Sequence, residues 1–121
     1  MFAERYTSNE FRRKLFRLYN GVNQDVYGFG VMRLRIVFVE DMIVFRTKHN
    51  RVRALQTLEQ SDPSLKRSVD YALFMEFKRR FARAMAEETD LDVECILRDY
   101  DPATETAVTV VCVRTEAGEQ S

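Results

Sequence analysis

The stretch VMRLRIVFVEDMIVFR, residues 31–46, decides the fold. Met32, Leu34, Ile36 and Phe38 alternate with Arg33, Arg35, Val37 and Val39, the two-residue period of a half-buried strand. Glu40 and Asp41 interrupt the run, and apolar sequence resumes at once from Met42 to Phe45. Two strands joined by a two-residue turn form an antiparallel hairpin, in which Phe38 pairs with Ile43 and Ile36 with Phe45. One face therefore carries Met32, Leu34, Ile36, Phe38, Ile43 and Phe45. The other carries Val37, Val39, Met42 and Val44 near the tip, with Arg33, Arg35 and Arg46 farther from it.

Toward the N-terminus, Thr7 and Glu10 have the spacing of a capping box. They open a helix whose apolar residues Phe11, Leu15, Leu18 and Val22 form one stripe. Gly21 weakens this helix near its end, and VYGFG (26–30) makes the passage to the strand. A phosphate-binding Gly-x-Gly follows a strand and opens a helix, so that backbone N–H groups meet the anion. Gly28 and Gly30 stand in the reverse order, helix before and strand after, and are read as a structural turn.

Toward the C-terminus, Asn50 is placed to cap a short helix, RVRALQTLEQ (51–60), with Val52, Leu55 and Leu58 inward. Ser61 or Asp62 then caps a second helix, with Pro63 in its first turn, running to about Glu88. Its apolar residues Leu73, Phe74, Phe77, Phe81, Ala84 and Met85, with Tyr71 and Met75 at the margin, cover about half the circumference. That is more than one sheet face readily buries. Residues 91–115 form a second hairpin around YDPATE (100–105), where Pro102 and its polar neighbours supply turn chemistry. The reading places Val93, Cys95, Leu97, Val108, Val110 and Cys112 on one face. Ile96, Val111 and Val113 then fall on the other, among Asp92, Glu94, Arg98 and Thr109.

The element order is helix, β-hairpin, short helix, long helix, β-hairpin. It predicts an α+β fold, a four-stranded antiparallel sheet with helices on one face. The 121 residues are read as a single domain, 1–121, with an ordered core over about 8–114 and a frayed tail at 115–121.

A hydrophobic content of 45% excludes a disordered chain, and 19 basic against 19 acidic residues remove any general attraction to nucleic acid or anionic lipid. The longest wholly apolar runs, IVFV and MIVF, are too short to span a bilayer, and nothing resembles a signal peptide. A soluble, cytoplasmic protein without direct membrane insertion follows. Cys95, Cys112 and the solitary His49 lack the spacing of a zinc or redox motif, so the cysteines read as buried, reduced thiols and no metal or cofactor is expected. The basic sets Arg12, Arg13, Lys14, Arg17 and Lys78, Arg79, Arg80, Arg83 read as solvated helix faces, without the interleaved aromatics of a nucleic-acid platform. Glu40 and Asp41 lie at one hairpin tip and Asp99, Asp101 and Glu105 at another, with no nucleophile and paired base among them. The chain reads as not an enzyme.

From about Ser8 to Arg114, the order and spacing of these elements resemble the MpsC-like family, long described as a domain of unknown function. Gly28 and Gly30 match the glycines of its Gly-x-Gly-Pro-like turn, with Val31 at the proline's position. NRVRA (50–54) stands where that family starts a helix with Thr-Pro-Ala-Glu, Asn50 taking the threonine's capping place. DLDVECILRDYD (90–101) parallels a Gly-Val-x-Val strand ending in Ser-Asp, with Asp99 at the aspartate position. The family's association with a sodium-translocating system that generates membrane potential implies an accessory role and a membrane transporter subunit as partner.

Among the chain's own features, the second sheet face is the most informative. Val37, Val39, Met42, Val44, Ile96, Val111 and Val113 would form an apolar patch that a lone molecule has reason to cover. The expected function is therefore non-catalytic protein–protein association, through a homodimer on this face or the same face docked on another protein. The alternative is a dimeric regulatory or ligand-sensing domain that holds an anion beside Arg33, Arg35 or Arg98.

Overall fold

The computed structural model describes residues 4–31, 33–48, 52–101 and 103–114. A short 3-10 turn, Glu4–Thr7, leads into α1 (Asn9–Tyr27), followed by β1 (Arg33–Val39), β2 (Met42–Lys48), α2 (Arg53–Ser61), α3 (Pro63–Glu88), β3 (Val93–Asp101) and β4 (Thr106–Val113). The four strands form one antiparallel sheet in the order β1-β2-β4-β3, with the helices packed on one face. The α+β architecture is the predicted one. Met32, His49, Asn50, Pro102 and the 115–121 tail lie outside the described residues.

Helix α1 starts one residue later than the capping-box reading. Ser8 is the N-cap and its Oγ accepts the Phe11 N–H at 3.2 Å, while Thr7 belongs to the preceding 3-10 turn. The helix ends where Gly28 adopts φ 88° and its N–H reaches the Gln24 carbonyl at 2.9 Å. A left-handed residue in this place satisfies an otherwise orphaned carbonyl, and glycine takes it without a Cβ penalty. A Cβ on Gly30 would lie 2.7 Å from Asn20 Oδ1, which already accepts the Val31 N–H at 2.9 Å. The Gly-x-Gly thus turns the chain tightly against its own helix.

The first hairpin has the pairing read from its sequence: Phe38 opposes Ile43, Ile36 opposes Phe45, and Glu40 enters the two-residue turn with φ 54°. Helix α2 begins at Arg53 with Val52 as N-cap and no side-chain cap. Asp62 caps α3, accepting the Leu65 N–H at 3.1 Å, and Pro63 occupies the first turn.

The core lies between α1, α3 and the sheet. Tyr19 is its hub, stacked on Phe45 at 5.2 Å and edge-on to Phe77 and Phe81 at 5.0 and 5.4 Å. Leu15, Ile43, Met85, Val111 and Ile96 close around these rings. Twenty-six residues make α3 about 39 Å long at 1.5 Å per residue. The strands are seven to nine residues, so α3 overhangs the sheet. Only Phe77, Phe81 and Met85 of its broad apolar stripe are buried, while Tyr71 and Met75 are exposed.

The second hairpin corrects the sequence reading. Strand β4 pairs with β2 so that Val111 opposes Ile43 and Thr109 opposes Phe45, and Ile96 of β3 opposes Val111. Residues opposite one another across a ladder share a face. Ile96 and Val111 therefore follow Ile43 into the core, where both are buried, and Val113 and Val93 pack against it beside a bulge between Val93 and Cys95. The reading of Ile96, Val111 and Val113 as an exposed association surface is overturned. Leu97, 56% exposed, takes the opposite face together with Val108, Val110 and the two cysteines.

Candidate interaction face of the sheet

The face turned away from the helices is ordered in four rows across β1, β2, β4 and β3. Val39, Met42, Cys112 and Cys95 form the first row, and Val37, Val44, Val110 and Leu97 the second. Arg35, Arg46, Val108 and Asp99 form the third, and Arg33, Lys48, Thr106 and Asp101 the fourth. Half of the face is thus continuous apolar surface, and Val37 and Val39 are each 40% exposed. Below it, arginine and lysine occupy the β1–β2 side and aspartate the β3 side. Val37, Val39, Met42 and Val44 stand where the sequence placed them. Leu97, Val108 and Val110 replace Ile96, Val111 and Val113.

The cysteines depart from the expectation of buried thiols. Cys95 is exposed and Cys112 half-buried, and they oppose one another directly across β3 and β4 as free thiols. Burial raises the Cys112 pKa above its ordinary value, and a hydrogen bond with Cys95 adds to the effect.

Arg33 and Arg35 lie on the outer face and Arg98 on the inner one, so the three form no common site. Arg98 lies over the Phe77 ring at 4.1 Å and donates from Nη1 to the Tyr27 hydroxyl at 3.0 Å. Its Nε and Nη2 are buried without a hydrogen-bond partner.

The basic helix residues are largely engaged. Arg12 donates to the Ile36 carbonyl at 2.6 Å and lies over the Phe38 ring, and Lys14 donates to the Glu88 carbonyl at 2.6 Å. Arg79 and Arg80 both pair with Glu76. A groove of about 430 Å³ between α1 and α3 is rimmed by these arginines together with Asp25 and Glu87 and carries mixed charge. A second, of about 570 Å³, runs between α3 and the bulged start of β3. Glu40 and Asp41 sit at the first-row end of the sheet, and Asp99 and Asp101 at the opposite end, so these carboxylates do not converge. Among the described residues no group of three histidine, cysteine, aspartate or glutamate side chains is placed to hold a metal, and no helix is long and apolar enough to cross a membrane.

No family model, curated protein or solved structure matches the chain. The face itself is what remains to be interpreted.

One signal in the sequence could have located the second half of this face. Asp99 and Asp101 share a parity with Leu97 and Cys95, as Arg33 and Arg35 do with Val37 and Val39. Charged residues at the end of an apolar strand mark its outward face when the strand is covered on one side only.

Proposed function

We propose that this protein acts through protein association without catalysis, and that the outer sheet face joins it to a second copy of itself. The carrying observation is the apolar half of that face, where Val37, Val39 and Leu97 are exposed beside half-buried Met42, Val44, Val108 and Val110. Burial of an apolar side chain contributes roughly 1.5–3 kcal/mol, so several of them offset the entropic cost of pairing. Both sheet edges are poor alternatives for assembly. Arg12 occupies an edge carbonyl of β1, and the bulge disturbs β3. The resemblance to the MpsC-like family extends the proposal to a physiological setting, in which the dimer is a cytoplasmic accessory of a membrane ion-translocating system.

Light scattering tests the association directly. A dimer mass at micromolar concentration that falls to the monomer mass in Val44→Glu, with unchanged circular dichroism, is the expected result. A wild-type monomer throughout that range, unaltered by the substitution, rejects the proposal.

A second reading rests on Arg98, whose buried Nε and Nη2 present the side-on fork suited to a carboxylate or phosphate. As an anion-sensing domain, the protein gains thermal stability with increasing phosphate or a small carboxylate, and Arg98→Met abolishes the gain. Equal melting temperatures with and without these anions exclude it.

A further inference from the structure

The rows of the outer face carry more than an apolar patch, because their charges are arranged to meet their own opposites. Two sheets stacked face to face keep their strands within about 30° of each other or cross near 90°. For aligned strands, a two-fold axis in the plane between the sheets runs nearly along the strands or nearly across them. An axis across the strands inverts the rows, setting Arg35 against a valine of the second row and Arg33 against one of the first. It would bury six guanidinium groups of the dimer, those of Arg33, Arg35 and Arg46 on each copy, on apolar surface without a partner, which is strongly unfavourable.

An axis along the strands, passing between β2 and β4, keeps every row at its own level and exchanges left for right. Valines and Leu97 of the second row then meet the same row of the other copy. In the third row the edge strand β1 lies over the other copy's β3, which brings Arg35 over an aspartate and leaves Arg46 one strand away from it. In the fourth row Arg33 lies over the other aspartate of β3. Arg35, Arg46 and Asp99 are exposed, and the Asp99 Oδ1 accepts the adjacent Tyr100 N–H at 2.9 Å. A spacing of about 10 Å between stacked sheets is one an arginine and an aspartate span together.

We propose that two copies of this chain pair through their outer faces about a two-fold axis running nearly along the strands, with Arg35 and Arg46 on one copy holding the partner subunit's Asp99, and Arg33 facing the partner subunit's Asp101. This rests on the proposed association through the same face. Four strands about 4.8 Å apart and seven to nine residues long give each copy a face of about 500 Å². Two such faces, about 1,000 Å² together, lie at the lower end of specific interfaces. The apolar rows therefore supply the affinity and the charged rows choose the orientation.

Charge reversal distinguishes the orientation from the association. Arg35→Asp and Asp99→Arg are each made alone and combined in one chain, and the masses of all forms are followed by light scattering over a concentration series. Each single reversal places like charges opposite one another twice per dimer. The expected effect is a rise of about ten-fold or more in the dimer dissociation constant. Mixing the two single variants restores both pairs in a heterodimer, and the double variant restores them in a homodimer, each returning to within a few-fold of wild type.

If the wild type is a dimer but neither the mixture nor the double variant recovers, the orientation is overturned while association through the face stands. If the wild type is a monomer at every concentration, both are overturned. Unchanged thermal unfolding of the isolated monomers assigns the losses to the interface rather than to folding.

Discussion

The hydroxyl of Tyr19 lies 3.3 Å from the hydroxyl of Thr109, with both side chains wholly buried. It ties α1 to β4 across the aromatic core. Tyr19→Phe leaves the threonine, and Thr109→Val the tyrosine, as a buried group without its partner. Each substitution is expected to destabilise by about 1–3 kcal/mol. The double variant loses less than the sum, since neither orphan remains. Urea denaturation of the four proteins measures the difference, and strict additivity contradicts the bond.

Arg98 gives a less intuitive order of stabilities. Its guanidinium lies over the Phe77 ring and is bonded to Tyr27, a placement that suits a weakly hydrated planar cation. Lysine brings a strongly hydrated ammonium to the same half-buried position, whereas methionine fills it with an apolar stem. Arg98→Lys is expected to melt below Arg98→Met. The opposite order in differential scanning calorimetry indicates that charge, not planarity, governs this position.

Ile96 and Leu97 are neighbours in sequence with opposite roles. Ile96→Ala opens a cavity in the core and is expected to cost about 2–4 kcal/mol in unfolding free energy. Leu97→Ala, on the exposed face, changes monomer stability by roughly 0.5 kcal/mol or less and weakens self-association instead. Denaturation and light scattering on the two variants separate the effects.

The glycines of α1 and of the turn that follows it also separate. Gly30→Ala forces a methyl against Asn20 Oδ1, and Gly28→Ala strains a residue at φ 88°. Each is expected to lower stability by about 1 kcal/mol or more. Gly21 lies inside α1 with nothing within 4 Å of an added Cβ, so Gly21→Ala is expected to raise stability by about 0.5–1 kcal/mol.

For the cysteines the pH dependence follows from the raised pKa of Cys112. Its thiolate develops at higher pH than that of an ordinary thiol, so its alkylation lags behind that of exposed Cys95 and accelerates only in alkaline solution. A folded-state pKa above the unfolded one gives a stability contribution that is complete below the unfolded value and lost as pH rises through the folded value. Cys112→Ser removes this alkaline loss. Peptide mapping after timed alkylation and melting curves across the alkaline range check both outcomes.

Much of the fold can be read from local pattern. In β1 the arginines at 33 and 35 alternate with leucine and isoleucine, and Glu40-Asp41 permits only a tight turn, so pairing and face are determined together. Asp62-Pro63 likewise marks the start of α3 through a cap and a preset φ. The start of α1 was displaced by one residue because Thr7 and Ser8 are both competent caps, and the 3-10 turn takes the first of them. Tyr19 was absent from the apolar stripe of α1, although its ring is the centre of the core, because its hydroxyl marks it as amphipathic until Thr109 is brought to it.

The second hairpin shows the boundary between the two kinds of information. Along Val93–Leu97 and Val108–Val113 nearly every residue is apolar or a cysteine, so both faces of each strand satisfy the hydrophobic pattern equally and a shift of one residue leaves little trace. Local sequence therefore established that these segments are strands and that a turn joins them. Within these apolar stretches it left open which side is core. That was decided by the ladder between β2 and β4, which aligns Val111 with Ile43 and Thr109 with Phe45, beneath the helices that cover only one side. The physical reason is that a strand's two faces become unequal only when another layer covers one of them, and that layer is supplied by residues far away along the chain.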